Sequence, residues 1–301
     1  MAAFTGTIYH ALKNTLESIV DDKTDGYESS LDFTKFMKVR SMSDNYEDDL
    51  ETGGPGLAAE IAEGEESPTG ELREGYVTRY RPRKFGLRLV VSEEAIEDNK
   101  YDRVINAAGR LKRALYKTAD IDATNILVRA TSSSYPGGDG VALASASHTL
   151  PAGGTFSNLM ATPMTPSRMA VIVATSQIKK FPGHDGITEG FNPVKVVYPT
   201  EQWAMWDGIL MSDKAPEPGA FNEINVAKRL NLTGVPLKFW DNTTTNYAFI
   251  TDAENGLNFR WRRKPKSRTW VENSQELMQY SISARWARGW SDPRCVLFVD
   301  A

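Results

Sequence analysis

"GLAAEIAEGEESPTGELREGYVTRYRPRKFGLRLVVSEEAIEDNKY", residues 56–101, decides how the rest of the chain is read. It has the form of a long hairpin. "EESPTG" supplies Pro and Gly turn chemistry at its tip. Alternation in "YVTRYRPRKFGLRLVV" predicts a strand, with Tyr76, Tyr80, Leu87 and Leu89 among its apolar positions. Pro82 has no N–H to give a ladder, which places this strand on a sheet edge. From Asp44 to Glu74 the chain is acidic: Asp44, Glu47, Asp48, Asp49, Glu51, Glu60, Glu63, Glu65, Glu66, Glu71 and Glu74, opposed by Arg73 alone. From Arg79 to Arg88 it is basic: Arg79, Arg81, Arg83, Lys84 and Arg88. Neither arm has enough apolar side chains for a core, and a two-stranded ribbon alone is marginal in water. The hairpin must therefore lie on something.

Beyond it, Ser92 precedes Glu93, Glu94 and Ala95, the pattern of a helix start with an acidic first turn. Val104, Ala107, Ala108, Leu111, Ala114, Leu115, Ile121 and Ile126 then keep helical spacing to about Ala130. A helix continuous from Tyr101 would be roughly 45 Å long. "TSSSYPGGDG" ends it. "GVALASASHT" and "GTFSNL" read as strand and loop. "TPSRMAVIVATSQIKKF" predicts a helix with Thr165 as N-cap, Pro166 at the first position, and Met169, Ile172 and Val173 on its apolar face. "VKVVYP" reads as a buried strand, and "TEQWAMWDGILM" as a helix carrying Trp203, Trp206, Ile209 and Leu210. Near the end Leu257, Phe259 and Trp261 alternate with Asn258, Arg260 and Arg262. Met278, Tyr280, Ile282, Ala284 and Trp286 alternate with Gln279, Ser281, Ser283 and Arg285. All 7 tryptophans lie from Trp203 onward, which puts the best-packed core in the C-terminal part. Toward the N-terminus, Ile8, Leu12, Leu16, Ile19 and Val20 form one helical stripe. Phe33, Phe36, Met37 and Val39 form a weaker patch. The first fifty residues read as an arm.

The 301 residues suffice for two modest domains or one elaborated domain, and 41% hydrophobic residues exclude a disordered chain. A net charge of −4 gives no reason to expect nucleic acid as the main partner. The lone cysteine, Cys295, excludes an intrachain disulfide. No signal-peptide pattern follows Met1, and "MAVIVA" is too short to cross a bilayer.

Motifs for chemistry are sparse. His10, His148 and His184 share no metal spacing, and no nucleotide-binding or nucleophile-elbow signature occurs. Asp139, Ser145, Ser147 and His148 are close in sequence, so a serine hydrolase using Ser147 and His148 is conceivable. The plainer reading is a strand and turn whose histidine caps or faces solvent. His184 and Asp185 are conceivable metal ligands, though "PGHDG" reads first as a turn. "FRWRRKPKSR", 259–268, interleaves bases with aromatics. Its leading reading is a strand with Phe259 and Trp261 inside and arginines outside, with Arg260, Arg262 and Arg263 ion-pairing across subunits. Tracking a nucleic-acid backbone is the alternative. On the long helix Arg110, Arg113 and Lys117 suit either a solvated face or nonspecific contact with packaged nucleic acid. No cofactor and no metal is expected.

The order of parts, with the stretches "FGLRLVVSEEAIEDNKYDRV", "GVALASASHTLPAGGTFSN", "VVYPTEQWAMWDGIL" and "QYSISARWARGWSDPR", resembles the major capsid proteins of tailed bacteriophages. Their α+β Johnson fold is shared with herpesvirus capsid floors and encapsulins. The resemblance implies an N-terminal arm over 1–50, an extended loop over 51–91 and a peripheral domain with its spine helix over 92–159. It implies an axial domain over 160–253 and a return to the peripheral domain over 254–301. It implies a structural protein rather than an enzyme, assembling as pentamers and hexamers into an icosahedral shell around double-stranded DNA. An encapsulin-like bacterial compartment is the nearest alternative. The hairpin would then lie on a neighbouring subunit, through Glu60, Glu63, Glu65, Glu66, Arg79, Arg81, Arg83 and Lys84. Partners implied are a separate scaffolding protein, a portal protein, a decoration protein and DNA held nonspecifically, but no membrane. The protein would be assembled in the bacterial cytoplasm and kept in the virion. Some relatives crosslink through a lysine on this loop; no lysine occurs from Asp44 to Arg83, so contacts are expected to be noncovalent.

Overall fold

The computed structural model describes residues 27–54, 56–70, 74–92, 101–214, 223–241, 245–272 and 277–300. The amphipathic stretch at 4–20 and the helix start after Ser92 lie outside the described residues. In chain order the elements are α1 (Phe33–Phe36), β1 (Lys38–Ser41), β2 (Glu47–Thr52), β3 (Glu74–Tyr80), β4 (Arg83–Ser92) and the long helix α2 (Tyr101–Val128). There follow β5 (His148–Thr149), β6 (Thr155–Phe156), α3 (Arg168–Ile178), β7 (Pro193–Pro199), α4 (Trp203–Met211) and β8 (Thr233–Leu237). The chain closes with β9 (Tyr247–Thr251), β10 (Leu257–Glu272), β11 (Leu277–Trp290) and β12 (Val296–Val299). No helix among the described residues is long and apolar enough to cross a membrane.

The long helix forms as its spacing predicts: 28 residues, about 42 Å at 1.5 Å per residue. Its buried stripe, Leu115, Ala119, Ala123, Ile126 and Leu127, packs on a four-stranded sheet ordered β1-β10-β11-β4. Leu257, Phe259 and Trp261 of β10 and Ile282, Ala284 and Trp286 of β11 face that helix, as period-2 alternation requires. Rings stack through this layer, Phe85 on Trp286 at 4.0 Å and Phe33 on Phe259 at 4.3 Å.

A second sheet, ordered β12-β9-β7-β8, is covered on both faces. Val197, Val235, Leu237, Ala248, Ile250, Val296 and Phe298 point into the core beneath α2. Their alternates Val196, Tyr198, Tyr247, Phe249, Leu297 and Val299 point to α3 and α4, where Trp206 is fully buried. That is why these strands read as continuous apolar runs rather than half-apolar alternation. α4 carries the chain over from β7 to the parallel β8. The sheet is therefore the shared wall of two cores.

Several expectations change. Residues 31–37 are no free arm: Leu31, Phe33, Phe36 and Met37 are buried in the main core, and the buried Asp120 carboxylate of α2 accepts the Phe33 N–H at 2.9 Å. Burial pushes the Asp120 carboxyl above its ordinary pKa. The stretch 56–101 is not one hairpin. Its strands β3 and β4 follow each other but never pair; β3 pairs with β2, and β4 pairs along its length with β11 of the same chain. Pro82 breaks the ladder between them and leaves β4 as the sheet edge its sequence predicted. The chain's long hairpin is β10–β11. The final strand, β12, completes the second sheet rather than returning to the first. α3 is capped by Ser167, whose side chain accepts the Ala170 N–H at 3.1 Å, not by Thr165. It buries Ala170, Val171, Ala174 and Ile178, leaving Met169 outside. Trp203 is likewise outside, 58% exposed, while Trp206, Ile209 and Leu210 are buried.

Phe33→Ala removes a fully buried ring and its stack on Phe259, and should cost about 3–5 kcal/mol in urea unfolding. A free arm at this position would give an unchanged midpoint.

Candidate functional site

The surface that the sequence points to is built on the β2–β3 ribbon. The odd residues of β2, Glu47, Asp49 and Glu51, turn inward, while Asp48, Leu50 and Thr52 turn outward. Carboxylates inside and a leucine outside invert the ordinary pattern, and the cause lies beneath. The ribbon covers the face of the first sheet opposite α2, where Arg260 is buried. One guanidinium nitrogen of Arg260 donates to Glu47 at 2.7 Å and another to Asp49. The same guanidinium sits over the Tyr80 ring at 4.1 Å, and the Tyr80 hydroxyl meets the Ser291 hydroxyl at 2.8 Å. Burial works against the charged form of Arg260, yet Asp49 and Glu47 more than offset it and hold its pKa above the ordinary value.

Glu51 repeats the device one step along. Its carboxylate accepts from Arg294 at 2.6 Å and contacts His184 Nε2 at 2.6 Å. Arg294 also donates through Nε to Asp292 at 2.8 Å. Arg294 likewise keeps a raised pKa against burial, through Asp292 first and then Glu51 and Glu189. β2 is thereby pinned to three regions of the chain: β10, the turn after β11, and the 182–191 loop.

The predicted contact residues divide accordingly. Arg260 is not available to a neighbour: the side of β10 expected to face solvent is roofed by the ribbon. Arg263 is half-buried and donates to Ser283 at 2.7 Å, and Arg262 is half-buried beside it. Arg79 pairs with Asp48 directly across the ribbon at 2.7 Å, and Arg83 reaches Asp122 of α2 at 3.4 Å. Arg81 and Lys84 are exposed. Every residue from Gly56 to Gly70 is exposed, including Glu60, Glu63, Glu65 and Glu66, and no strand forms there. Leu57 in that stretch is 79% exposed. On α2, Arg110, Arg113 and Lys117 are exposed on one helical stripe, with Lys117 Nζ 5.4 Å from the centre of the Phe239 ring. Sequence reading missed Glu47, Asp49 and Glu51 as a set. No local alternation marks them, because Asp48 on the outer face is acidic too.

The hydrolase constellation does not assemble. His148 Nδ1 meets Asp139 at 2.5 Å, but Nε2 faces the Leu143 carbonyl and Asn158 Oδ1, both at 3.2 Å. The histidine is fully buried, stacked on Phe156, not capping or facing solvent. Ser147 is exposed and its hydroxyl lies near that of Ser145. Asp185 accepts the Ile187 N–H at 3.0 Å, a turn contact, as "PGHDG" suggested. Among the described residues no three His, Cys, Asp or Glu side chains are grouped to hold a metal ion.

Comparison with known proteins places this geometry. A family model described as phage capsid protein matches residues 75–299. None of the curated proteins is similar enough in sequence to match. Among solved structures, one from Mycobacterium phage Adephagia has a TM-score of 0.54 at 10% identity, covering 90% of this chain and 89% of that one. The capsid of Myoviridae Phage XM1 gives 0.55 at 9% identity, covering 90% and 92%. The capsid of the Cyanophage P-SCSP1u gives 0.57 at 11% identity, covering 89% and 87%.

Arg260→Leu leaves Glu47 and Asp49 facing each other with no cation between them. It should lower unfolding stability by about 2–4 kcal/mol, the partial exposure of both acids keeping the loss below that of a sealed pair. Arg79→Ala, which breaks an exposed pair, should leave the urea midpoint unchanged.

Proposed function

This chain belongs to the phage capsid protein family and, as a major capsid protein, forms the shell of a phage head; we propose that it does so as noncovalent pentamers and hexamers closing an icosahedral shell around double-stranded DNA. The observation that carries this reading is the segment 56–70. It is acidic, bears exposed apolar side chains and makes no strand on its own chain. Leu57 and Ile61 stand exposed there beside four carboxylates, which supports a covering surface on another copy. Head-to-tail placement of this segment on the next copy is a heterologous contact that closes into a ring.

The remaining assignments follow the same reading. Residues 51–91 act as the extended loop, Arg81 and Lys84 meet the neighbouring copy, and α2 is the spine. Arg110, Arg113 and Lys117 are the bases that face packaged DNA, nonspecifically. Assembly in the bacterial cytoplasm uses a separate scaffolding protein, the portal occupies one vertex and a decoration protein is an optional outer partner. The protein has no catalytic role; the occupied nitrogens of His148 support this. The family match favours a phage head over an encapsulin-like compartment.

Electron microscopy of the purified protein, with and without its scaffold, tests the reading. Closed shells, or rings that close when scaffold is added, are expected. A monomer that persists under every condition contradicts it. Replacing Arg81 and Lys84 together by Glu should leave the monomer's unfolding midpoint in place and reduce shell yield.

A further inference from the structure

Both nitrogens of the His148 ring face oxygens that accept hydrogen bonds, and a neutral imidazole has one N–H to give. Nδ1 lies 2.5 Å from a carboxylate oxygen of Asp139. Nε2 lies 3.2 Å from the Leu143 carbonyl and 3.2 Å from Asn158 Oδ1. The Asn158 amide is oriented by its other partners. Its Nδ2 donates to the Leu143 carbonyl at 2.6 Å and to the Pro293 carbonyl at 2.9 Å, while its Oδ1 accepts the Ser145 N–H at 2.8 Å. The amide atom that faces Nε2 is therefore the oxygen. The His148 side chain is fully buried and that of Asp139 is 3% exposed, so bulk solvent supplies no donor to either side of the ring.

The rest of the surroundings is uncharged. Phe156 stacks on the ring at 5.2 Å and Trp290 meets it edge-on at 6.4 Å. Among the described residues Asp139 is the charged side chain in contact with the ring. Asp292 and Arg294 lie beyond Asn158, flanking the Pro293 whose carbonyl it holds, and they pair with each other at 2.8 Å.

We propose that His148 is an imidazolium donating from both nitrogens, to Asp139 on one side and to Leu143 and Asn158 on the other, and that this extra proton clasps the loop between α2 and β5 against β3. That loop is the support of β3. The Tyr76 hydroxyl meets the Thr149 hydroxyl at 2.6 Å. Gly138 lies so close to β3 that a Cβ there would stand 3.0 Å from Thr78 Oγ1 and 3.1 Å from Tyr76 Cβ. The unfolded chain holds no such proton above the ordinary imidazole range, near pH ~6.5. The folded chain then binds one proton more, so its stability, full below that range, falls as pH rises above it. The pair is a buried one, in which either partner alone would be an uncompensated charge.

Magic-angle-spinning NMR on the sedimented full-length chain, with histidine labelled in nitrogen-15, tests the proton directly. At pH 7 the His148 ring, assigned through its sequential link to Ser147, should show a proton on both nitrogens. One bare nitrogen overturns the proposal. Urea unfolding gives an independent readout. Between pH 7 and pH 8 the folding constant of the wild-type chain should fall about tenfold more than that of Asp139→Asn, the difference made by one proton. The window stops there because burial raises the Cys295 thiol, which adds a loss of the same sign at higher pH. Equal slopes overturn the proposal, and the NMR result decides it where Asp139→Asn fails to fold. The clasp itself is read from amide exchange at pH 7. The Ser145 amide, which donates to Asn158, should exchange about tenfold faster in Asp139→Asn, and unchanged exchange overturns the clasp.

Discussion

A buried guanidinium must be answered by carboxylates, and in this chain that requirement organises the surface built on the β2–β3 ribbon. Arg260 lies on the face of the first sheet away from α2 and Arg294 in the turn after β11, and both are buried. Transferred there alone, each would cost several kcal/mol. Glu47, Asp49, Glu51 and Asp292 answer them, and three of these come from one short strand. β2 is held by its charges rather than by apolar burial. Its partner β3 is aligned by the ladder and by Tyr80. The extended segment between the two strands leaves from a rigid base although it has no regular structure of its own.

Rigidity at that base matters because the two cores do not act as separate bodies. The second sheet gives one set of side chains to each core, and β12 closes it from the end of the chain. Phe249 packs against α3 and α4 while its neighbours Ala248 and Ile250 face α2's core. Close-packed interiors transmit shifts rather than absorb them. Glu51 adds a polar tie by linking β2 to His184 in the loop after α3. β2, at the base of the extended segment, is therefore tied directly to the loop after α3.

What the sequence made legible and what it hid follow from range. α2, β7 and β11 were readable because their periodicity is local and unbroken. Phe33 was misjudged because its partner is Phe259, and nothing within a few residues of "FTKF" announces that ring. The stretch 76–91 was read as one strand of a hairpin, but it divides at Pro82 into β3 and β4, and the acidic stretch 56–70 read as its other arm forms no strand. Alternation says which side chains share a face, but not which strand lies alongside. The acids complementary to β3 lie in β2, and the ladder for β4 lies in β11, near the other end of the chain. Arg260 shows the same limit from the other side. Alternation placed it opposite Phe259 and Trp261, which is right; calling that face solvent overlooked the ribbon. The family resemblance supplied the order of parts, and the ionic layer beneath β2 was found only in the geometry.

The acidic half of the chain thus contains two populations with different physics. Glu51 is buried and Glu47 and Asp49 are half-buried, and removing their partners leaves poorly compensated charge, so they set a fixed geometry. Glu60, Glu63, Glu65 and Glu66 stay in water, where a contact gains little and is screened by salt within about 8–10 Å. A shell needs both kinds. Strong contacts between copies would trap the first wrong neighbour, because release would be slow. Weak ones on a floppy base would lose more ordering entropy than they return. On the proposed reading, an exposed segment that binds weakly and hangs from an ionically locked ribbon meets both conditions, since the direction of approach is set inside each copy before any neighbour arrives. On the proposed reading, fidelity of assembly then rests on the buried arginines, and reversibility on the exposed glutamates.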